Sequence, residues 1–343
     1  MSGRQILVFG ATGAMGQYLV PRLADMGYRV DAVDLRSFPV VHPNINSIAA
    51  DAKNQEFRAK LLKNNYDGIV DFMIYPTCEL PLSLPELVGA AGHYIYLSSY
   101  RVYDGIEVPI RETSPRLIDS SHDVLLKNSD DYCIYKARGE NILRSSDRKN
   151  WTIVRPAITY SLLRYQLVTL EAPATVARAQ VGKTVVLPET ARDIQATMSW
   201  AGDVARMIAH LLFNEKAFGE TFTVATAEHH TWGEIADYYR DICGLRAIWV
   251  PQGDYLKCAV MGYERFSRPG GWQLVYDRLF DRVMDNSRIL AATGMKQEEL
   301  MKLYDGLKYE IGRCPRDFGE SVMKAADPVN VRMDAYLKER GIF

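Results

Sequence analysis

Long apolar runs are missing from this sequence. No stretch approaches the roughly 18 residues of a membrane span, and the opening Met-Ser-Gly-Arg-Gln-Ile-Leu-Val-Phe heads into a strand pattern without the extended apolar core of a secretory signal. The expectation is a soluble, cytoplasmic protein with no membrane partner. Cysteine is sparse: the five residues Cys78, Cys133, Cys243, Cys258 and Cys314 are scattered and never form Cys-x-x-Cys, which argues against both a disulfide framework and a zinc site. His229-His230 lacks a third ligand at useful spacing, so no metal is expected. Neither sign of charge dominates, because 41 Lys and Arg face 42 Asp and Glu for a formal net charge of −1. The basic surface needed for sequence-independent phosphate binding is lacking, and nucleic acid is not an expected partner. Repeats, low-complexity tracts and an evident flexible linker are also absent.

What is present is a chain of 343 residues, 48% hydrophobic and 24% charged, able to bury a large core in one big domain or two. Short β-branched runs alternate with longer amphipathic stretches in its first half, the pattern of βαβ units on a parallel sheet. Strands are expected at Gln5–Phe9, Arg29–Val33, Gly68–Ile74, Tyr94–Leu97 and Trp151–Val154, with helices at Met15–Met26, Gln55–Asn64, Leu84–Ala91 and Asp131–Arg144. The fold class is therefore α/β, a Rossmann-type doubly wound parallel sheet. After Pro156 the rhythm changes to longer stretches rich in aromatics, Met and Arg, with helical patterns at Asp203–Phe213, Trp232–Cys243 and Gln297–Ile311 and a strand at Glu220–Ala225. We expect a nucleotide-binding domain over residues 1–158, rejoined by 201–226, and a smaller substrate-binding lobe made of 159–200 and 227–343.

Directly after the first strand comes Gly10-Ala-Thr12-Gly13-Ala14-Met15-Gly16, opening a helical pattern. A strand, a tight glycine turn and a helix N-terminus supply what a pyrophosphate needs: close backbone approach, N–H donors and the positive end of the helix dipole. The second strand ends at Asp34, where a carboxylate accepts from ribose hydroxyls and repels a 2′-phosphate, favouring NAD over NADP. Arg36, just beyond, either accommodates a 2′-phosphate or lies along the adenine. Asp51, followed by Ala52, stands either near the adenine amine or as a helix N-cap.

Tyr132-Cys-Ile-Tyr-Lys136 sets a phenol and an ammonium on one face of a helix. Taking a proton from a hydroxyl while a hydride leaves the same carbon calls for a base of pKa near 7, whereas free tyrosine titrates near 10. A nearby ammonium, the cofactor's charge and the helix N-terminus can together supply those roughly 4 kcal/mol. Ser98-Ser99 ends another strand, so Ser99 can hydrogen-bond the same oxygen at the carboxyl end of the sheet.

Taken in order, Gly10-x-x-Gly13-x-x-Gly16, Asp34, Ser98-Ser99-Tyr-Arg-Val-Tyr103, Tyr132-x-x-x-Lys136 with Gly139-Glu140, and Val154-Arg155-Pro156 resemble the extended short-chain dehydrogenases, the NAD-dependent epimerase/dehydratase family. The resemblance covers about the first 160 residues. It continues more faintly through Trp200-Ala-Gly-Asp203 and Glu220-Thr-Phe-Thr-Val. It implies NAD as cofactor and Ser99, Tyr132 and Lys136 as catalytic residues. Lys136 would also hold the nicotinamide ribose, and Ser98 and Pro156 would lie beside the cofactor.

The dehydratases of that family look like Thr-Asp-Glu-Val-Tyr after the catalytic hydroxyl, an acid and base pair for eliminating water, and here Ser99-Tyr100-Arg101 stands instead. Epimerisation of a nucleotide-activated sugar through a keto intermediate is the leading expectation. The alternatives are an NAD(P)-dependent dehydrogenase or reductase of a sugar or other alcohol, and a non-catalytic nucleotide- or RNA-binding module. Candidate substrate contacts are Tyr75, which replaces a small residue, Tyr100, Arg101, Arg192 and Arg278. The Arg-rich run Tyr276–Arg288 reads either as phosphate ligands or as ordinary surface ion pairs. Fewer than twenty residues separate Ile74 from His93, where typical sugar epimerases carry a longer dimer-forming helix, which leaves a homodimer possible rather than required.

Overall fold

A computed structural model of the chain describes residues 3–260 and 269–342. Seven parallel strands form its main sheet in the order β3-β2-β1-β4-β5-β6-β10: β1 (Gln5–Phe9), β2 (Arg29–Asp34), β3 (Ile45–Ala49), β4 (Tyr66–Asp71), β5 (Ala91–Leu97), β6 (Trp151–Pro156) and, after a long excursion, β10 (Glu220–Val224). The expected Rossmann-type sheet is borne out. Its strand order reverses between β1 and β4, and in open α/β sheets the crevice beyond the carboxyl ends at such a reversal is where ligands bind.

Helices cover both faces because the strands are apolar on both sides, as in Ile6, Leu7, Val8 and Phe9, all fully buried. On one face α1 (Gly16–Asp25) turns Leu19, Val20 and Leu23 inward together with Val204, Met207, Ile208 and Leu211 of the helix Ala201–Leu211. The other face carries α2 (Gln55–Leu62), α3 (Leu80–Ala90) and the helix Tyr132–Ser145, over Tyr66, Leu84, Leu87, Tyr94, Tyr96 and Trp151. Asp131 starts that last helix by accepting the Cys133 N–H at 3.0 Å.

A further core holds the remaining chain around a three-stranded sheet, β7 (Ile158–Tyr160), β9 (Gln195–Trp200) and β11 (His229–Thr231), and a parallel pair, β8 (Thr184–Pro188) with β12 (Arg246–Val250). The helix expected at Leu84–Ala91 runs Leu80–Ala90 and β5 starts at Ala91 rather than Tyr94, and two further elements differ for reasons the structure shows. The fourth strand ends at Asp71 rather than Ile74, because the Asp71 carboxylate accepts the Met73 N–H at 2.9 Å and turns the chain out of the ladder. The helix expected over Gln297–Ile311 is divided into a short turn and the helix Leu303–Gly312, where neighbouring carboxylates take the N–H groups: Met301 donates to Asp203 at 2.6 Å and Leu303 to Glu228 at 2.7 Å. Among the described residues no helix is long and apolar enough to cross a membrane, and no group of His, Cys, Asp and Glu is arranged to hold a metal ion.

The helix Tyr132–Ser145 approaches β5 at Gly139, where a Cβ would collide with the Tyr96 hydroxyl. Gly139→Ala is therefore expected to destabilise the protein, by about 1–3 kcal/mol of overpacking against a gain of at most about 1 kcal/mol in helix propensity. Urea denaturation measures the balance, and a net stabilisation would mean that the contact is slack.

Candidate active site

Beyond Phe9 the chain turns at Gly10 with φ of +73°, a left-handed conformation that favours glycine. A Cβ there would press on Phe72 Cβ at 3.1 Å, and at Gly16 it would strike the carbonyl oxygens of Gly10 and Ala11. At these two glycines no side chain can stand ahead of α1, which helps bring a pyrophosphate against a helix N-terminus. These residues fit the phosphate-bearing part of a dinucleotide. Gly10, Gly13, Ala14, Met15 and Gly16 form one end of a cleft of about 340 Å³ that continues past Ser98, Ser99, Tyr132 and Pro156 to Arg164 and Arg278.

Asp34 has a second task that spacing alone does not reveal. Its carboxylate accepts the Thr12 N–H at 2.9 Å and the Leu35 N–H at 2.7 Å, so it pins the glycine loop to the end of β2. Arg36 is exposed and, with Thr12, Gln17 and Phe38, lines a separate cleft of about 450 Å³ next to that loop. Asp51 and Ala52 line neither cleft. The exposed Asp51 accepts the Lys53 N–H at 2.9 Å, Asn54 is the N-cap of α2, and Ala52 is buried in the core.

At the far end of β5 the buried Ser99 hydroxyl accepts the Arg101 N–H at 3.2 Å and faces the Tyr132 phenol. Burial is the largest influence on that phenol and pushes its pKa above the ordinary value, while Arg101, Arg164 and the hydrogen bond with Ser99 pull it down. Lys136 is not the lowering influence expected of it. Its ammonium is 1% exposed, donates to Leu97 O at 2.6 Å and Met73 O at 3.2 Å, and lies 5.8 Å from the centre of the Tyr132 ring. Arg101 stands closer, its guanidinium carbon 5.3 Å from that centre. Burial lowers the Lys136 pKa to about 8, against the opposing pull of Asp71 and then Glu140.

Ser98 lines the cleft, but its hydroxyl turns inward and donates to Glu140 at 2.5 Å. Arg155 holds the same carboxylate with two bonds, 2.7 and 2.6 Å, and Arg116 adds a third at 3.0 Å. Burial alone would raise the Glu140 pKa, yet these arginines and the Ser98 hydroxyl hold it near 2.

The candidate substrate residues divide. Tyr100, Arg101 and Arg278 line the cleft. The Tyr100 hydroxyl donates to Asp277 at 2.8 Å, and Arg101 pairs with Asp131 at 3.3 Å. Arg278 is buried and its nitrogens bond Asp277, Tyr100, Gln166 at 2.9 Å and Val168 O at 2.7 Å, so most of its donors are spent on shaping the wall. Arg282 is likewise buried, 3.1 Å from Asp277, and neither arginine is a surface ion pair. Tyr75 and Arg192 do not reach the cleft. Tyr75 is 1% exposed in the core beside Asp71, and Arg192 is exposed, its guanidinium 5.7 Å from the Trp249 ring centre. Sequence reasoning missed Phe72, Arg164, Gln166 and Glu171 in the cleft wall, the last three on a non-repetitive segment between β7 and β8 that carries no periodic signal.

A seven-stranded doubly wound sheet with a glycine cradle at its switch point defines a Rossmann-type dinucleotide-binding protein. The sequence matches the NAD dependent epimerase/dehydratase family over residues 6–225, and the chain belongs to that family. No curated protein sequence matches it. Among solved structures, it is similar to the UDP-glucuronic acid 4-epimerase of Bacillus cereus in complex with UDP-glucuronic acid and NAD, at 16% identity and TM-score 0.65 over 93% of this chain and 99% of that one. The UDP-glucose 4-epimerase of Thermus thermophilus in complex with NAD gives 17%, 0.64, 90% and 98%. The dTDP-glucose 4,6-dehydratase of Bacillus anthracis in complex with NAD gives 15%, 0.66, 90% and 96%.

Neutralising Glu140 by Glu140→Gln leaves Arg155 buried without its counter-charge, and a loss of about 3–5 kcal/mol is expected in urea denaturation. Because the Glu140 pKa is depressed from 4.5 to about 2, its stabilisation is complete above pH 4.5 and is lost as pH falls toward 2. The difference between wild type and variant should shrink over that window.

Proposed function

We propose that the protein is an NAD-dependent epimerase acting on a nucleotide-activated sugar. The observation that carries this reading is the meeting of Tyr132 and Ser99 at the cleft, with Lys136 seated behind them and no acid and base pair beside Ser99. Bound NAD⁺ would accept a hydride from the carbinol carbon and return it to the opposite face.

The chain's own residues handle the proton. Tyr132 Oη takes it from the substrate hydroxyl and gives it back when the carbon is reduced, so that no proton is consumed over the cycle. Arg101 and Arg164 offset part of the burial that otherwise keeps the phenol protonated. The Ser99 hydroxyl donates to the reacting oxygen as it becomes a carbonyl. Arg101, paired with Asp131 and with its Nε 3.6 Å from Asp277, and the exposed Arg164 are cations that line this end of the cleft and could face a substrate.

Dehydration needs a second acid and base next to the sugar. The positions after Ser99 hold Tyr100, bound to Asp277, and Arg101. Glu171 is the carboxylate lining the cleft among the described residues, and it accepts from Gln166 at 2.5 Å. A single engaged carboxylate favours epimerisation.

Mass spectrometry of small molecules retained on purification identifies the nucleotide sugar to be assayed. With it, Tyr132→Phe should lose at least about 100-fold in turnover while calorimetry shows unchanged NAD affinity; full activity in that variant removes Tyr132 from the chemistry. Reduced nicotinamide accumulating in step with product would reassign the enzyme as a net dehydrogenase.

A further inference from the structure

Asp71 ends β4 and is 1% exposed. One carboxylate oxygen accepts the Met73 N–H at 2.9 Å and the other accepts the Tyr94 hydroxyl at 2.8 Å. Burial is the largest influence on this carboxyl and pushes its pKa above the ordinary value, while the donors from Met73 and Tyr94 and the nearby Lys136 charge pull it back toward the ionised form. The turn that Asp71 closes presents the carbonyl of Met73 to Lys136, whose ammonium donates to it at 3.2 Å and to Leu97 O at 2.6 Å. Both carbonyls are neutral, so the charge itself must be balanced elsewhere.

The titratable and charged groups around Lys136 are few. Its own helix supplies Tyr132 and Tyr135, with ring centres 5.8 and 6.0 Å from the ammonium, and Glu140. β5 supplies Tyr96, at 5.1 Å, and Tyr94, which bonds Asp71; the turn after β4 supplies Tyr75. Glu140 is already bound by Arg155, Arg116 and Ser98. Asp71, with no arginine or lysine bonded to it among the described residues, is left as the counter-charge.

We infer that Asp71 is a positioning residue for Lys136, keeping its ammonium charged and seated at the end of β5 through the Met73 turn. This rests on the reading that Lys136 holds the cofactor's ribose. Burial lowers the Lys136 pKa to about 8 and Asp71 is the first group opposing that fall. NAD affinity that depends on the charged amine is therefore present below pH 8 and lost as pH rises through it. Removing the Asp71 charge moves the loss to lower pH.

The test is NAD binding by calorimetry across pH, which needs no substrate. Asp71→Asn is nearly isosteric: its amide oxygen can still accept from Met73, and its NH₂ can donate to the Tyr94 oxygen. We expect its binding midpoint to fall by about one pH unit, which makes NAD about fivefold weaker near pH 8 and approaches tenfold at higher pH. Asp71→Glu should recover most of the wild-type midpoint. If Asp71→Asn does not fold, Asp71→Ser takes its place with the same expected shift. A midpoint that stays at the wild-type value in the neutral variant, or that moves equally in Asp71→Glu, overturns the role of the charge. Failure of the wild type to bind NAD would instead overturn the cofactor reading on which the inference rests.

Discussion

Glu140 has no exposed surface, and its two oxygens receive Ser98 from the end of β5, Arg155 from β6 and Arg116 from the loop before the helix Tyr132–Ser145. One carboxylate thus fixes that helix against two neighbouring strands. Removing either charge would leave the other stranded in the interior, so the group behaves as a unit. Its neighbour Gly139 lets the helix descend until it meets Tyr96, whose hydroxyl is 3.4 Å from Lys136 O. The candidate site hangs from this contact, because Lys136 and Tyr132 stand one and two turns upstream on the same helix and Ser99 follows Ser98 directly.

A second layer of charge surrounds the phenol. Asp277 is fully buried and receives Tyr100, Arg278 and Arg282, with Arg101 Nε 3.6 Å away; Asp131 takes the other edge of Arg101. Three guanidinium groups against two carboxylates leave a net positive wall beside Tyr132. Burial is the largest influence on the phenol, and the cations that pull against it are Arg101 from this layer and Arg164 from the facing wall, while Lys136 donates to two carbonyls.

Strong local signals were legible in the sequence. β1, the glycine turn, α1, the end of β2 at Asp34 and the helix bearing Tyr132 each follow from apolar periodicity, glycine chemistry or capping within a few residues. Where the deciding partner is distant in sequence, local reasoning had nothing to read. Asp71 shortened β4 by bonding Met73, Asp203 and Glu228 reshaped the segment ahead of the helix Leu303–Gly312, and Asp277 drew Arg278 and Arg282 inward from a run that resembles a charged surface helix. Tyr75 shows the same limit, since nothing in Tyr75-Pro76 distinguishes a tyrosine that lines a cleft from one packed beside a buried carboxylate.

The cleft of this chain is assembled from two walls of different origin. One wall comes from the carboxyl ends of β1, β5 and β6 and is fixed by glycine geometry and the Glu140 cluster. The facing wall comes from Arg164, Gln166 and Glu171, which belong to no strand or helix of the main sheet, and from Gln273 and Arg278 beyond it. Substitutions on that second wall alter the shape and charge presented to a substrate without disturbing the sheet, the glycine cradle or the helix of Tyr132. Structures only 15–17% identical to this chain share its fold at TM-scores of 0.64–0.66. In this chain the end of the cleft at Tyr132 is bordered by Arg101, and the Asp71 carboxylate is buried near Lys136.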